Sequence, residues 1–196
     1  MKAVASLLTF TLVTLTAAIA PRAEPPPGPW TAKVWRDDIV SFRGVLMNAS
    51  GGKFWMNKAA SAECPSDIEN LDCTKYPGTE TIFNGGNETI FLNVGVPGGQ
   101  QVYIAEDGAL SFTTPHSGQI PDGGVATGFS RVLGKALGAP VMLSNANGDW
   151  YICPVGEGEP QEKVYQLYVG ETDKEGCYSA HVRTYQPKGG DVWEYV

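Results

Sequence analysis

Val102-Tyr103-Ile104-Ala105-Glu106-Asp107-Gly108-Ala109-Leu110-Ser111-Phe112 decides the fold class of this chain. Two short apolar runs flank an Asp-Gly pair, and an Asp-Gly step between such runs is a strong β-hairpin signal. The same signature recurs on both sides. Ser50-Gly51-Gly52 leads into Lys53-Phe54-Trp55-Met56, and Val141-Met142-Leu143-Ser144 leads through Asn147-Gly148 into Trp150-Tyr151-Ile152. Ile39 to Met47 alternates as a strand would, and further strands are expected at Glu80–Phe83, Thr89–Val94, Lys163–Val169, Tyr178–Tyr185 and Val192–Val196. Helical signal is thin. Phe129 to Leu137 could form two turns at most, with Gly128, Gly134 and Gly138 in or against it.

Turn signals this frequent predict an all-β chain: one antiparallel β-barrel or sandwich built from hairpins and held by two disulfides. An aromatic residue follows each turn glycine, so the alternative is a β-trefoil, although the hairpins are unevenly spaced. With 196 residues the chain is one domain's length and can bury a sizeable core. No composition shift, heptad or low-complexity tract divides residues 31–196.

The N-terminal segment reads as an export signal. Met1-Lys2 is positive, Ala3 to Ala20 is uncharged and mostly apolar, and Ala17-Ala18-Ile19-Ala20 is small. Residues 1–20 are therefore assigned as a signal peptide, with cleavage between 18 and 23. Residues 21–30, with Pro25-Pro26-Pro27-Gly28-Pro29, form a stiff extended leader. Residues 31–196 form the domain. No second apolar stretch follows, so no membrane anchor is expected and the protein is predicted to be secreted and extracellular. Four cysteines remain, and an even number in an exported chain implies disulfides. Three pairings exist; Cys64–Cys73 and Cys153–Cys177 are favoured because each closes a short loop. Asn48-Ala49-Ser50 and Asn87-Glu88-Thr89 are N-glycosylation sequons, which places Asn48 and Asn87 at the surface.

Charge and motifs narrow the function. Lys plus Arg number 14 against 21 Asp plus Glu, a net charge of −7, which argues against nucleic-acid and anionic-membrane partners. No G-x-S-x-G elbow, H-E-x-x-H zinc motif or phosphate loop is present. Only two histidines occur. His116 lies in a Pro- and Gly-bounded loop and His181 in a strand, and neither has an evident partner to make it a general base. Glu106, Asp107, Glu171, Asp173 and Glu175 are the carboxylates that could serve a glycosidase, but turn and loop context explains them equally well. Gly156-Glu157-Gly158-Glu159-Pro160 lacks the ligand spacing of a calcium loop. No catalytic residue, metal or cofactor is assigned. The binding signal is aromatic: a period of two turns Phe54 and Met56 to one face and Trp55 to the other, and Trp150 opposes Tyr151 in the same way. Trp55 and Trp150 are the candidate glycan contacts.

Several stretches together carry a resemblance: Gly51-Gly52-Lys53-Phe54-Trp55, Cys64-Pro65-Ser66, Val96-Pro97-Gly98-Gly99-Gln100-Gln101-Val102-Tyr103, His116-Ser117, Ile152-Cys153-Pro154 and Val192-Trp193-Glu194-Tyr195. From about residue 31 onward the chain resembles the secreted ascomycete "IgE-binding protein" family, similar to phialide-development cell wall proteins. The resemblance implies a fungal protein of the cell wall or surface with no enzymatic activity. It also implies an allergen, or an effector and elicitor of plant defence, whose partner would be a wall glycan or a host protein. The family supplies no catalytic residues to transfer. The rival expectations from the residues are a carbohydrate-active hydrolase and a lectin-like glycan binder.

Overall fold

A computed structural model describes residues 24–196; the signal-peptide assignment lies outside them. Fourteen strands form among the described residues: β1 (Thr31–Trp35), β2 (Val45–Leu46), β3 (Asn48–Ser50), β4 (Lys53–Met56), β5 (Ala62–Glu63), β6 (Phe83–Leu92) and β7 (Gln100–Ile104). They continue with β8 (Leu110–Phe112), β9 (Phe129–Leu133), β10 (Val141–Asn145), β11 (Trp150–Val155), β12 (Val164–Val169), β13 (Tyr178–Tyr185) and β14 (Glu194–Tyr195). The only helical pieces among the described residues are 3-10 turns at Val40–Phe42 and Cys73–Lys75.

The turns show how the sequence sets the pairing. Gly51 and Gly52 both take positive φ, 62° and 72°, so β3 and β4 close on a two-residue turn of the kind that matches strand twist. Between β7 and β8 the loop is longer. Ala105 N–H donates to Ala109 O, Gly108 N–H donates to Ala105 O, and only Gly108 has positive φ. β6 folds back on itself. Ten extended residues would span roughly 33 Å, yet Asn93 N–H donates to Ile82 O across its two ends at 2.8 Å. The reversal falls at Asn87-Glu88, where Glu88 has φ 69°.

The large sheet runs β10-β9-β6-β7-β8-β4-β12-β11-β13-β1-β2, with β3 on β4 and a further β10–β13 pairing. All its strand pairs are antiparallel, and it curls into a nearly closed barrel. Three expectations are corrected. Val141–Ser144 and Trp150–Ile152 do not form a hairpin: Leu143 lies opposite Val182 and Trp150 opposite Ala180, so β10 and β11 run in the same sense along β13. Residues 146–149 are an excursion between them. Phe129–Leu133 is a strand, since β6 and β10 offer it partners on both sides. Ile39–Met47 is not continuous; a 3-10 turn precedes the two-residue β2. With the third hairpin gone, the repeat that would suggest a β-trefoil is gone as well.

Inward side chains fill the barrel. Trp30 stacks on Phe83 at 4.6 Å, Phe83 meets Phe54 at 5.6 Å, and Phe54 meets Phe112 at 5.4 Å. These four rings tie β1's approach, β6, β4 and β8 into one core, and aromatic pairs at such distances contribute about 1 kcal/mol each beyond area burial. The disulfides are Cys64–Cys73 and Cys153–Cys177. The second fastens β11 to the segment entering β13.

The C-terminal strand is fixed by a side chain acting as a strand. β14 pairs with β5 on one edge, and Val196 N–H donates to Ser61 O. On its other edge Gln100, fully buried, accepts from Tyr195 N–H at 2.8 Å and donates Nε2 to Tyr195 O at 2.8 Å and to Thr113 O at 3.2 Å. The Tyr195 hydroxyl donates to Glu80 O at 2.6 Å and accepts from Ile82 N–H. Burial pushes that phenol's pKa well up.

Candidate functional site

Because the inside is packed, chemistry available to a ligand lies on the outer face. Strand alternation places Trp55 there, with Phe54 and Met56 fully buried on the other side. Trp55 Nε1 donates to Ser50 O at 2.7 Å, which fixes the ring plane, and Lys58 Nζ sits 4.6 Å from the ring centroid. The same device recurs. Arg183 covers Trp35 at 4.0 Å, Lys33 covers Tyr185 at 5.2 Å, Arg36 covers Tyr178 at 5.4 Å and Lys174 covers Tyr168 at 5.1 Å. These contacts set cations over rings along β1, β12 and β13 as well as beside β4.

Trp150 is placed differently from Trp55. It is 5% exposed and its Nε1 donates to Leu143 O at 2.8 Å, so its ring offers no stacking face to a sugar. It forms part of the floor of an open groove of about 540 Å³, whose walls include Trp35, Asn145, Asp149 and His181. The groove exists because residues 146–149 leave the line of β10 and β11. At its rim Arg36 donates to Asp38 at 2.8 Å and to Ser179 O at 2.8 Å; the Arg36 bond holds the exposed Asp38 carboxyl below the usual range.

The carboxylates weighed from sequence partly converge. Glu106, Asp107, Glu171 and Asp173 line one shallow depression of about 440 Å³, and Lys174 lies 3.8 Å from Asp107; Glu175 is not in its wall. All four are exposed, whereas a general acid needs a carboxyl desolvated enough to keep its proton. The Gly156–Pro160 loop is exposed, and no group of three or more metal-ligating side chains occurs among the described residues.

His116, at φ 60°, is exposed and lies near Glu194. Glu194 stands directly across from Glu63; burial foremost, and then that neighbour, raise its pKa, while His116 opposes the shift. Of the two sequons, Asn48 is half-buried with Nδ2 donating to Lys58 O at 2.7 Å, and Asn87 is exposed at the β6 reversal. Sequence reasoning passed over Trp35 and Arg183. Both sit at alternating positions that β1 and β13 turn outward, so the signal was present in Lys33-Val34-Trp35 and His181-Val182-Arg183.

Residues 40–196 match the model of a family described as PhiA-like secreted protein. A relative from Arthroderma benhamiae, described as an uncharacterized secreted protein, is 32% identical over 151 residues, covering 76% of this chain and 67% of the relative. No solved structure matches. The chain belongs to the PhiA-like secreted protein family and is a secreted protein.

Proposed function

We propose that this PhiA-like protein is a non-catalytic fungal protein that acts outside the cell, at the wall or surface, through contacts of its exterior. The observation that carries this reading is where the rings lie. The core aromatics fill the barrel, and a second set is fixed on the outside under cations, with Trp55 foremost. A flat ring held by its own hydrogen bond can take the apolar face of a wall sugar without losing much side-chain entropy. Lys58 would swing aside or bond a sugar hydroxyl. The finer reading is that the exported domain also meets a host, as an elicitor of plant defence or as an allergen; the family resemblance supports it.

The test is retention on washed wall fractions. Purified protein is expected to co-sediment, and Trp55→Ala is expected to lower the retained fraction by at least fivefold while the fold stays intact. Leaf infiltration with the same two proteins probes the host response. Turnover of a glycan or ester without retention would overturn the proposal. A second reading, a carbohydrate-active hydrolase, has one observation in its favour: four carboxylates share a depression beside Lys174. Reducing-sugar release that is lost in Asp107→Asn and Glu171→Gln would favour the hydrolase.

A further inference from the structure

The β6 reversal brings together features that the proposed function leaves unused. Asn87 opens the sequon Asn87-Glu88-Thr89 at the tip of the fold-back, exposed on a turn that Glu88 makes in the left-handed region. The amide of Asn87 makes no side-chain hydrogen bond among the described residues, unlike that of Asn48. Beside it runs a groove of about 690 Å³. One wall is the leader, Pro25 to Gly28, tied down by Arg131 donating to Pro26 O at 3.1 Å. Gly85 and Gly86 are part of its lining, with the Arg131 stem packed over Gly86 and Thr89 O against Gly85, and Phe91 on the other arm is 38% exposed. Asn87, Thr89 and Phe91 line the same groove, so a group attached at Asn87 starts at its mouth.

We propose that Asn87 carries an N-linked glycan whose innermost N-acetylglucosamine lies in this groove against Phe91. The co-reactant is a lipid pyrophosphate-linked oligosaccharide of the secretory pathway. Asn87 Nδ2 bonds to C1 of the reducing-end N-acetylglucosamine as the C1–O bond to pyrophosphate breaks. The lipid pyrophosphate leaves with that electron pair, and Nδ2 gives up one of its two protons to a base of the transferring enzyme. Thr89 supplies the hydroxyl that the acceptor sequence requires. The sugar then covers the exposed ring and shields the leader from solvent on that side.

The full chain, secreted from a yeast host, tests this. Glycans are released with peptide N-glycosidase in heavy-oxygen water and the peptides are mass-mapped. Asn87 is expected to appear as labelled aspartate, and Asn87→Gln and Thr89→Ala are each expected to remove the same mass. A secreted product with an unmodified Asn87 peptide overturns the proposal, whatever the state of Asn48. The resting place is tested separately on folded wild-type protein before and after enzymatic release, with Phe91→Ala alongside. Phe91→Ala is expected to lower the melting temperature by about 2 °C more in the glycosylated protein than in the released one. An equal effect in both overturns the contact with Phe91.

Discussion

The clasp around Tyr195 and the belt of rings on β1 and β13 use polar atoms in opposite ways. In the clasp, Gln100 and Tyr195 are fully buried, and Gln100 supplies the donor and acceptor that a neighbouring strand would have supplied. In the belt, Trp35 Nε1 and Arg183 Nε are shielded yet have no hydrogen-bond partner, and Arg183 is held by its contact with the Trp35 ring and an ion pair with exposed Asp37 at 3.8 Å. Hydrogen bonds made in low dielectric are expensive to break, while cation–ring contacts near water are cheap to rearrange. Specificity of the fold therefore resides in the clasp, and the belt is the region whose rearrangement costs the fold least.

Breaking the clasp should have the largest effect. Gln100→Leu keeps an apolar volume but strands Tyr195 N–H and O, and a loss of about 3 kcal/mol is expected in urea unfolding. A loss under about 1 kcal/mol would mean that water replaces the amide and that clasp and belt are alike.

A smaller effect comes from acid–base linkage at the clasp's edge. Glu194 has a raised pKa in the folded state, from burial first and Glu63 second. Its contribution is therefore fully present below the unfolded carboxyl value and is lost as pH rises through the folded one. The melting temperature should fall as pH rises above the ordinary carboxyl range of about 4, and Glu194→Gln should flatten that fall by about 2 °C in calorimetry. An unchanged slope would remove this pair from the account. At the smallest end, Arg183→Ala uncovers Trp35 and should cost no more than about 1 kcal/mol by the same urea titration. A cost as large as that of Gln100→Leu would erase the distinction between the two regions.

Much of this was legible in the residues. Gly51-Gly52 encodes its turn locally because two consecutive positive φ angles suit glycine, and strands flanking Gly85-Gly86-Asn87-Glu88 follow from the apolar runs on either side. Asn147-Gly148 carried an equally strong local signal and was misleading. The choice between a hairpin and an excursion is made by β13, which offers Val182 to Leu143 and Ala180 to Trp150. Phe129–Leu133 likewise becomes a strand through partners distant in sequence. At the surface, period-two reasoning placed Trp55 outward correctly but gave no sign that Trp150's ring is enclosed near Leu143. Gln100 had a readable cue that was missed. It shares its face with Val102 and Ile104, so a polar residue stood in an inward slot and needed an internal partner.

The pairing of β1 with β13 matches Thr31 with Tyr185 and Trp35 with His181. At a ribosomal pace of about 5–20 residues per second, β1 emerges on the order of 10–30 s before its partner exists. During that wait Ala32 and Val34, buried in the finished barrel, lack the strand that covers them. Closure of the sheet at β1 is therefore timed by the emergence of β13.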